Sequence, residues 1–139
     1  MKPIPTAHVL LFQNGKVLLV RHEEGAGHLT GTYGIPGGRQ SQNETLKETA
    51  VREFEEETGL NIKEENLLEF PKNSYTADLK RKGGEIKRFT MNAFIARNYE
   101  GELKPSSETT PEWINISEIS SLNLLPNVES AINAALKSI

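Results

Sequence analysis

The chain contains no cysteine, which excludes a disulfide framework and any thiolate metal site and leaves the redox compartment undetermined. No apolar run approaches the roughly 20 residues that a membrane span needs. Residues 1–5 are too short and polar for a signal sequence, so a cytoplasmic protein without a membrane partner is expected. A basic excess is also missing. The formal net charge is −3, there is no long basic tract, and a duplex nucleic-acid partner is not expected. The three histidines lack zinc-site spacing. What remains, in 139 residues that are 36% hydrophobic and 25% charged, is one globular domain over residues 1–139 with room for a real core. Small anionic ligands remain open to it through local basic groups.

The most informative stretch is residues 37–60, GGRQSQNETLKETAVREFEEETGL. Leu46, Ala50 and Phe54 recur every fourth residue and form one stripe of an amphipathic helix at about 100° per residue. Ser41 and Glu44 suit a capping box and Gly59 an end cap, which predicts a helix over residues 44–58. Glu44, Glu48, Arg52 and Glu55 fall on the side away from the stripe. Glu53 and Glu57 fall within about 20° of Leu46 and Ala50, with Glu56 just beyond them, so three carboxylates prolong the inward face. Four glutamates, Glu53, Glu55, Glu56 and Glu57, also crowd the negative pole of the helix, at a cost of roughly 0.3 to 1 kcal/mol each. A solvated acidic face explains the charge but not the inward placement. Carboxylates at spacing i, i+3, i+4 suit a hard divalent cation that keeps waters and bridges to phosphate oxygens.

These residues match a family pattern: Gly, five residues, Glu, seven residues, then Arg-Glu-apolar-any-Glu-Glu-any-Gly-apolar. Here it reads Gly38, Glu44, then Arg52 through Leu60. Every fixed position is filled, and chance agreement at one start point is on the order of 10⁻⁸ from background usage. The chain therefore resembles the Nudix hydrolases, with Phe54 standing where an aliphatic residue is more common. The resemblance implies Mg²⁺, or Mn²⁺ in its place, and hydrolysis of nucleoside diphosphates linked to another group. It implies that Glu53, Glu56 and Glu57 hold the metal with a backbone carbonyl from Gly37, that Arg52 orients the carboxylates, that Glu44 braces Arg52, and that Gly38 and Gly59 are structural requirements. The general base comes either from the box, as Glu53, or from a later loop, where Glu108 is the candidate and Glu112 and Glu102 are rivals.

Elsewhere, apolar runs at residues 6–12 and 16–21 flank Gln13-Asn14-Gly15, a hairpin signal. Arg21 and His22 end the second run, and Arg21 is preferred as a phosphate ligand because it stays charged and bonds bidentately. Glycine-rich residues 23–32 read as a loop able to gate a cleft, and residues 33–38 as a short strand and a turn whose glycines allow close backbone approach. Strands are expected at 66–70, 74–79 and 86–96, with a basic turn at 80–84 that reads as solubilising charge. An irregular segment at 100–112 precedes a strand at 113–116, a helical turn at 117–122 and a final helix opened by Pro126, with Val128, Ile132, Ala135 and Ile139 at helical spacing. This order gives a mixed sheet flanked by helices and resembles the Nudix α/β/α sandwich.

The substrate-side candidates are Arg21, Tyr33, Arg39 and Asn127. Length and the full box resemble the nucleoside-triphosphate branch, including enzymes that remove oxidised dGTP, in which an asparagine before the last helix reads the base. ADP-ribose hydrolases carry a proline about fifteen residues past the box. Tyr75 stands there, and a tyrosine near that place is seen in dinucleoside polyphosphate hydrolases. A nucleotide-binding module without catalysis is the other class. The expected partner is a small nucleotide bound by a monomer or homodimer.

Overall fold

The computed structural model describes all residues, 1–139. The chain opens with β1 (Ile4–Leu10), β2 (Phe12–Gln13) and β3 (Lys16–His22). Asn14 and Gly15, at φ 52° and 75°, join β2 to β3 with Phe12 facing Val17 and Gln13 facing Lys16, the doubly positive turn that suits the twist of a two-residue hairpin. The hairpin extends only as far as Leu11, whose carbonyl accepts the Leu18 N–H at 3.0 Å. The rest of the expected pairing of residues 6–12 with 16–21 does not form, because β1 leaves for a different sheet and runs parallel to a strand more than eighty residues later.

Next come β4 (Tyr33–Gly34), β5 (Gly37–Arg39) and helix α1 (Leu46–Thr58). The capping box lies one turn later than Ser41 and Glu44: Thr45 Oγ1 accepts from the Glu48 N–H at 3.1 Å and the Glu48 carboxylate accepts from the Thr45 N–H at 2.8 Å. Glu44 has another task, described below. Gly59, at φ 83°, ends the helix by donating its N–H to the Glu55 carbonyl at 2.9 Å, a left-handed cap that suits glycine.

The second half holds β6 (Leu60–Asn61), β7 (Leu67–Leu68), β8 (Ser74–Lys80), β9 (Ile86–Ala96), β10 (Glu100–Gly101), β11 (Thr109–Asn115) and helix α2 (Val128–Leu136). The expected strand at 66–70 shrinks to β7, since a 3₁₀ turn occupies Glu64–Asn66. Strand β11 begins four residues before Trp113 and includes Pro111. It pairs only with β3, and an edge strand tolerates the missing proline N–H. Pro126 precedes α2 rather than opening it, and Ile139 is exposed beyond its end.

The larger sheet runs β5, β1, β9, β7, with β8 also on β9; only the β1–β9 pair is parallel. A second sheet runs β11, β3, β2, with β4 also on β3. Strand alternation feeds two cores. Ala7, Val9, Leu11 and Leu18 join Ala50 and Phe54 of α1, while Leu10, Val17 and Leu19 join Ala131, Ile132 and Ala135 of α2. The result is a mixed sheet system between two helices. Thr45→Ala is expected to lower unfolding free energy by about 1 kcal/mol, with Ser41→Ala well under half of that; chemical denaturation of both variants checks where the cap lies.

Candidate active site

The last two turns of α1 stand beside β5, and two contacts fix how they meet. The Gly37 N–H donates to Glu57 Oε1 at 2.8 Å. A side chain at Gly38 would run into the Glu53 carboxylate and push that acid from the place where Arg52 holds it. Arg52 ties the group from the other side. Its Nε and Nη2 donate to the two oxygens of Glu44 at 2.6 and 2.8 Å, its Nη1 to Glu53 at 2.9 Å and Glu56 at 3.2 Å, and its Nη2 to the Arg39 carbonyl at 3.2 Å. The bidentate pair is the strong form of such contacts. It holds the Glu44 carboxyl down at about 2, and the Arg52 guanidinium well above its ordinary range.

Electrostatics inside the group run the opposite way. Burial, and then the charges of Glu53, Glu108 and Glu56, push Glu57 up to about 8 against the pull of the Gly37 N–H. Burial likewise raises Glu53, with Arg52 opposing it. No basic residue occupies the last turn of α1. Uncompensated carboxylates at a helix C-terminus are costly, and an all-oxygen donor set suits Mg²⁺ or a similar cation.

Glu53, Glu57, Gly37 and Gly38 form one edge of a cleft of about 320 Å³. Its floor is the face of the larger sheet that carries Thr6, His8, Met91, Phe89 and Tyr75; its far walls are the loop at Gly27 and His28 and the segment before α2. That segment is docked by β4, as Tyr33 accepts the Leu125 N–H at 2.9 Å and donates its own N–H to the Asn123 carbonyl at 2.8 Å.

Of the expected site residues, Gly37, Gly38, Arg39, Glu53, Glu57, Glu108 and Asn127 line the cleft. Asn127 takes the left-handed backbone at φ 70° and makes no side-chain cap, which leaves its amide uncommitted at the start of α2. Glu56 is exposed and turned to Arg52. No three acidic or histidine side chains converge tightly enough to enclose an ion by themselves; a cation that keeps its waters needs only one or two carboxylates, and the Glu53 and Glu57 pair fits that demand.

Arg21 and Tyr33 do not line the cleft. Arg21 pairs with Glu23 at 3.0 Å and Glu112 at 3.3 Å, and the Tyr33 hydroxyl also donates to Glu112 at 3.3 Å. Successive strand residues face opposite sides, so with Arg21 turned out, His22 turns in. Glu112 is thereby committed elsewhere, and Glu102 lies off the cleft. His22, the other residue expected to end the second run, lines the cleft, and so do His8 on its floor and His28 and Arg81 on its wall, which the sequence pattern did not single out. Burial holds His8 down at about 4 and His28 at about 3. The period-2 alternation that marks one face of β9 was the signal available for Phe89 and Met91; His28 and Arg81 sit in turns, where no such signal exists.

With this geometry in view, comparison with known proteins is decisive at the level of family: a model of the NUDIX domain matches residues 2–135. The chain belongs to that family. This NUDIX chain is 33% identical over 111 residues to the oxidized purine nucleoside triphosphate hydrolase of Danio rerio, across 80% of the chain and 65% of that protein. It is 32% identical over 139 residues to the mRNA-decapping protein g5R of African swine fever virus (isolate Warthog/Namibia/Wart80/1980), across 89% of the chain and 56% of that protein. The chain thus spans two thirds or less of both relatives. The crystal structure of the MutT protein from Methanosarcina mazei Go1 superposes with a TM-score of 0.78 at 23% identity, across 99% of this chain and 96% of that one, which bears out the Nudix-type mixed α/β fold. No helix is long and apolar enough to cross a membrane.

The raised Glu57 carboxyl sets a pH dependence. Because its folded value of about 8 lies above the ordinary 4.5, the stabilisation due to its protonated form is complete below about pH 4.5 and is lost as pH rises through about 8. In EDTA, the melting temperature of Glu57→Gln minus that of the wild type should therefore grow by a few degrees across that window, where 1 kcal/mol corresponds to roughly 3 to 5 °C. A flat difference would show Glu57 to be freely solvated.

Proposed function

We propose that this NUDIX chain hydrolyses a phosphoanhydride bond in a nucleoside diphosphate linked to another moiety, and that its preferred substrate is a purine (deoxy)nucleoside triphosphate such as 8-oxo-dGTP, cut to the monophosphate and pyrophosphate. The observation that carries this reading is the meeting, in one cleft, of the Glu53 and Glu57 carboxylates, the Glu108 carboxylate and the uncommitted amide of Asn127. The name of one relative, an oxidized purine nucleoside triphosphate hydrolase, supports the triphosphate reading.

NUDIX hydrolases generally use divalent metals. Glu53 and Glu57, with Glu56 at the exposed rim, would hold Mg²⁺ here, and when bound it would neutralise phosphate charge and make water more acidic. The chain's own residues supply the rest. Arg52, anchored on Glu44, keeps Glu53 and Glu56 in place. Glu108 takes the proton of the attacking water: it carries no ion pair and stands close enough to raise both Glu53 and Glu57. Its loop is held by Ser106 Oγ, which accepts the Glu108 and Thr109 N–H groups at 3.2 and 3.1 Å. Water adds to phosphorus, the bridging P–O bond breaks, and the departing oxygen leaves on the second phosphorylated product. Asn127 offers both a donor and an acceptor to a purine edge.

Glu57→Gln should lower turnover of a nucleoside triphosphate by two or more decades with the fold intact, and Glu108→Gln by roughly 10²- to 10⁴-fold, the usual share of a general base. Near-wild-type hydrolysis by Glu57→Gln would sink the acid-pair assignment. Measured as kcat/KM, dGTP and its 8-oxo form should exceed ADP-ribose, and Asn127→Ala should flatten the ratio among bases while slow turnover of a poor substrate stays level. A clear preference for ADP-ribose overturns the triphosphate reading.

A further inference from the structure

Three arginines of this chain are neutralised by carboxylates: Arg21, Arg52 and Arg88. Arg39 and Arg81, which line the cleft, make no ion pair. Their guanidinium carbons lie 5.5 and 5.4 Å from the centroid of the same ring, Phe89, so two like charges share one aromatic platform. Such stacking is favourable for each cation, but it does not cancel the repulsion between them. Burial, followed by the charge of Arg39, pushes the Arg81 guanidinium down.

Arg81 is no loose surface charge. Its Nη1 donates to the neutral His28 ring, with Nε2 at 3.3 Å. Any side chain at Gly27 would occupy the place of its guanidinium. The next residue clamps the turn onto the glycine-rich loop: the Lys82 N–H donates to the Gly27 carbonyl at 3.0 Å, and Lys82 Nζ to the Glu24 carbonyl at 2.8 Å. The basic turn at 80–84 is thus a built wall of the cleft, where solubilising charge was expected.

Position decides what the two cations face. Arg39 follows Gly38, on which Glu53 rests, so the guanidinium groups begin where the acid edge ends. Helix α2, with Asn127 at its start, leans instead on Tyr75, whose hydroxyl donates to the Ser130 carbonyl at 3.4 Å. Tyr75 is level with Met91, two residues along β9 from Phe89.

We propose that Arg39 and Arg81, seated on Phe89, form a subsite for the terminal phosphate of the substrate, so that the moiety attached beyond the cleaved bond is itself an anion rather than a neutral sugar. This deepens the hydrolase reading of the same cleft and rests on it. Planar guanidinium forks suit phosphate oxygens, and a phosphate between them supplies the counter-charge that the protein withholds.

The test uses the intact chain as wild type, Arg81→Gln, Arg39→Gln/Arg81→Gln and the control Arg88→Gln, whose parent residue is paired with Asp78 outside the cleft. Calorimetric titration with inorganic pyrophosphate in EDTA should give binding to the wild type and the control, at least tenfold weaker binding to Arg81→Gln and none measurable to the double variant. With Mg²⁺ present, Arg81→Gln should lower the ratio of kcat/KM for dGTP to that for ADP-ribose at least tenfold. Pyrophosphate binding that is absent from the wild type or unchanged in Arg81→Gln overturns the subsite, and so does an equal fall on both nucleotides. If the wild type binds pyrophosphate through these arginines yet cleaves no nucleotide, the anion subsite stands and the hydrolase reading falls.

Discussion

Like-charge crowding at the end of α1 is the constraint to which the rest of this site answers. Glu53 and Glu57 are drawn out of water beside Glu56 and Glu108, without a basic residue in the last turn. Left alone, such a group would splay into solvent or protonate. The Arg52–Glu44 pair prevents the first, because Arg52 holds Glu53 and Glu56 while Glu44 fixes Arg52 by both oxygens. The Gly37 N–H opposes the second by donating to Glu57, although burial still raises that carboxyl, and the bare Cα of Gly38 leaves the Glu53 carboxylate its place at the cleft edge.

The same constraint accounts for the division of charge across the cleft. Acids occupy the helix edge, arginines the Phe89 end, and the histidine-bearing walls between them are held neutral by burial. A phosphate chain with its cation would span such a field, its oxygens toward the guanidinium groups and its cation toward the carboxylates. The two-core sandwich makes this arrangement stiff. Strand β1 is buried on both faces, with Val9 fully buried in one core and Leu10 in the other, and it carries β5 on one side and β9 on the other.

What could be read from the sequence was the chemistry that depends on short spacing. The helix, its inward glutamates, the Gly59 cap, the Asn14-Gly15 turn and the whole of β9 follow from periodicity and turn residues, which act within a few positions. Local pattern is silent where a single residue of parity or a distant partner decides. Whether Arg21 or His22 enters the cleft depends on which strand face points inward, and it is His22 that does. The partner of β1 is β9, and no local pattern in residues 4–10 names it. Arg81 and His28 meet only because two turns fifty residues apart are clamped by Lys82. Glu44 still accepts the Ser41 N–H at 3.1 Å and the Thr49 hydroxyl at 2.9 Å beside its bonds to Arg52, but the helix itself is capped four residues after Ser41, where Thr45 and Glu48 make both bonds of the box.

A cation site is proposed for the crowded carboxylates, in place of a tolerated strain. Titration of the protein with Mn²⁺, followed by electron paramagnetic resonance of the free ion, measures this directly. Saturable binding to the wild type is expected, at least tenfold weaker binding to Glu57→Gln, and no change in Glu55→Gln, on the solvent face of the same helix. Equal affinity in all three proteins would mean that the ion only screens an acidic surface, and would contradict the account.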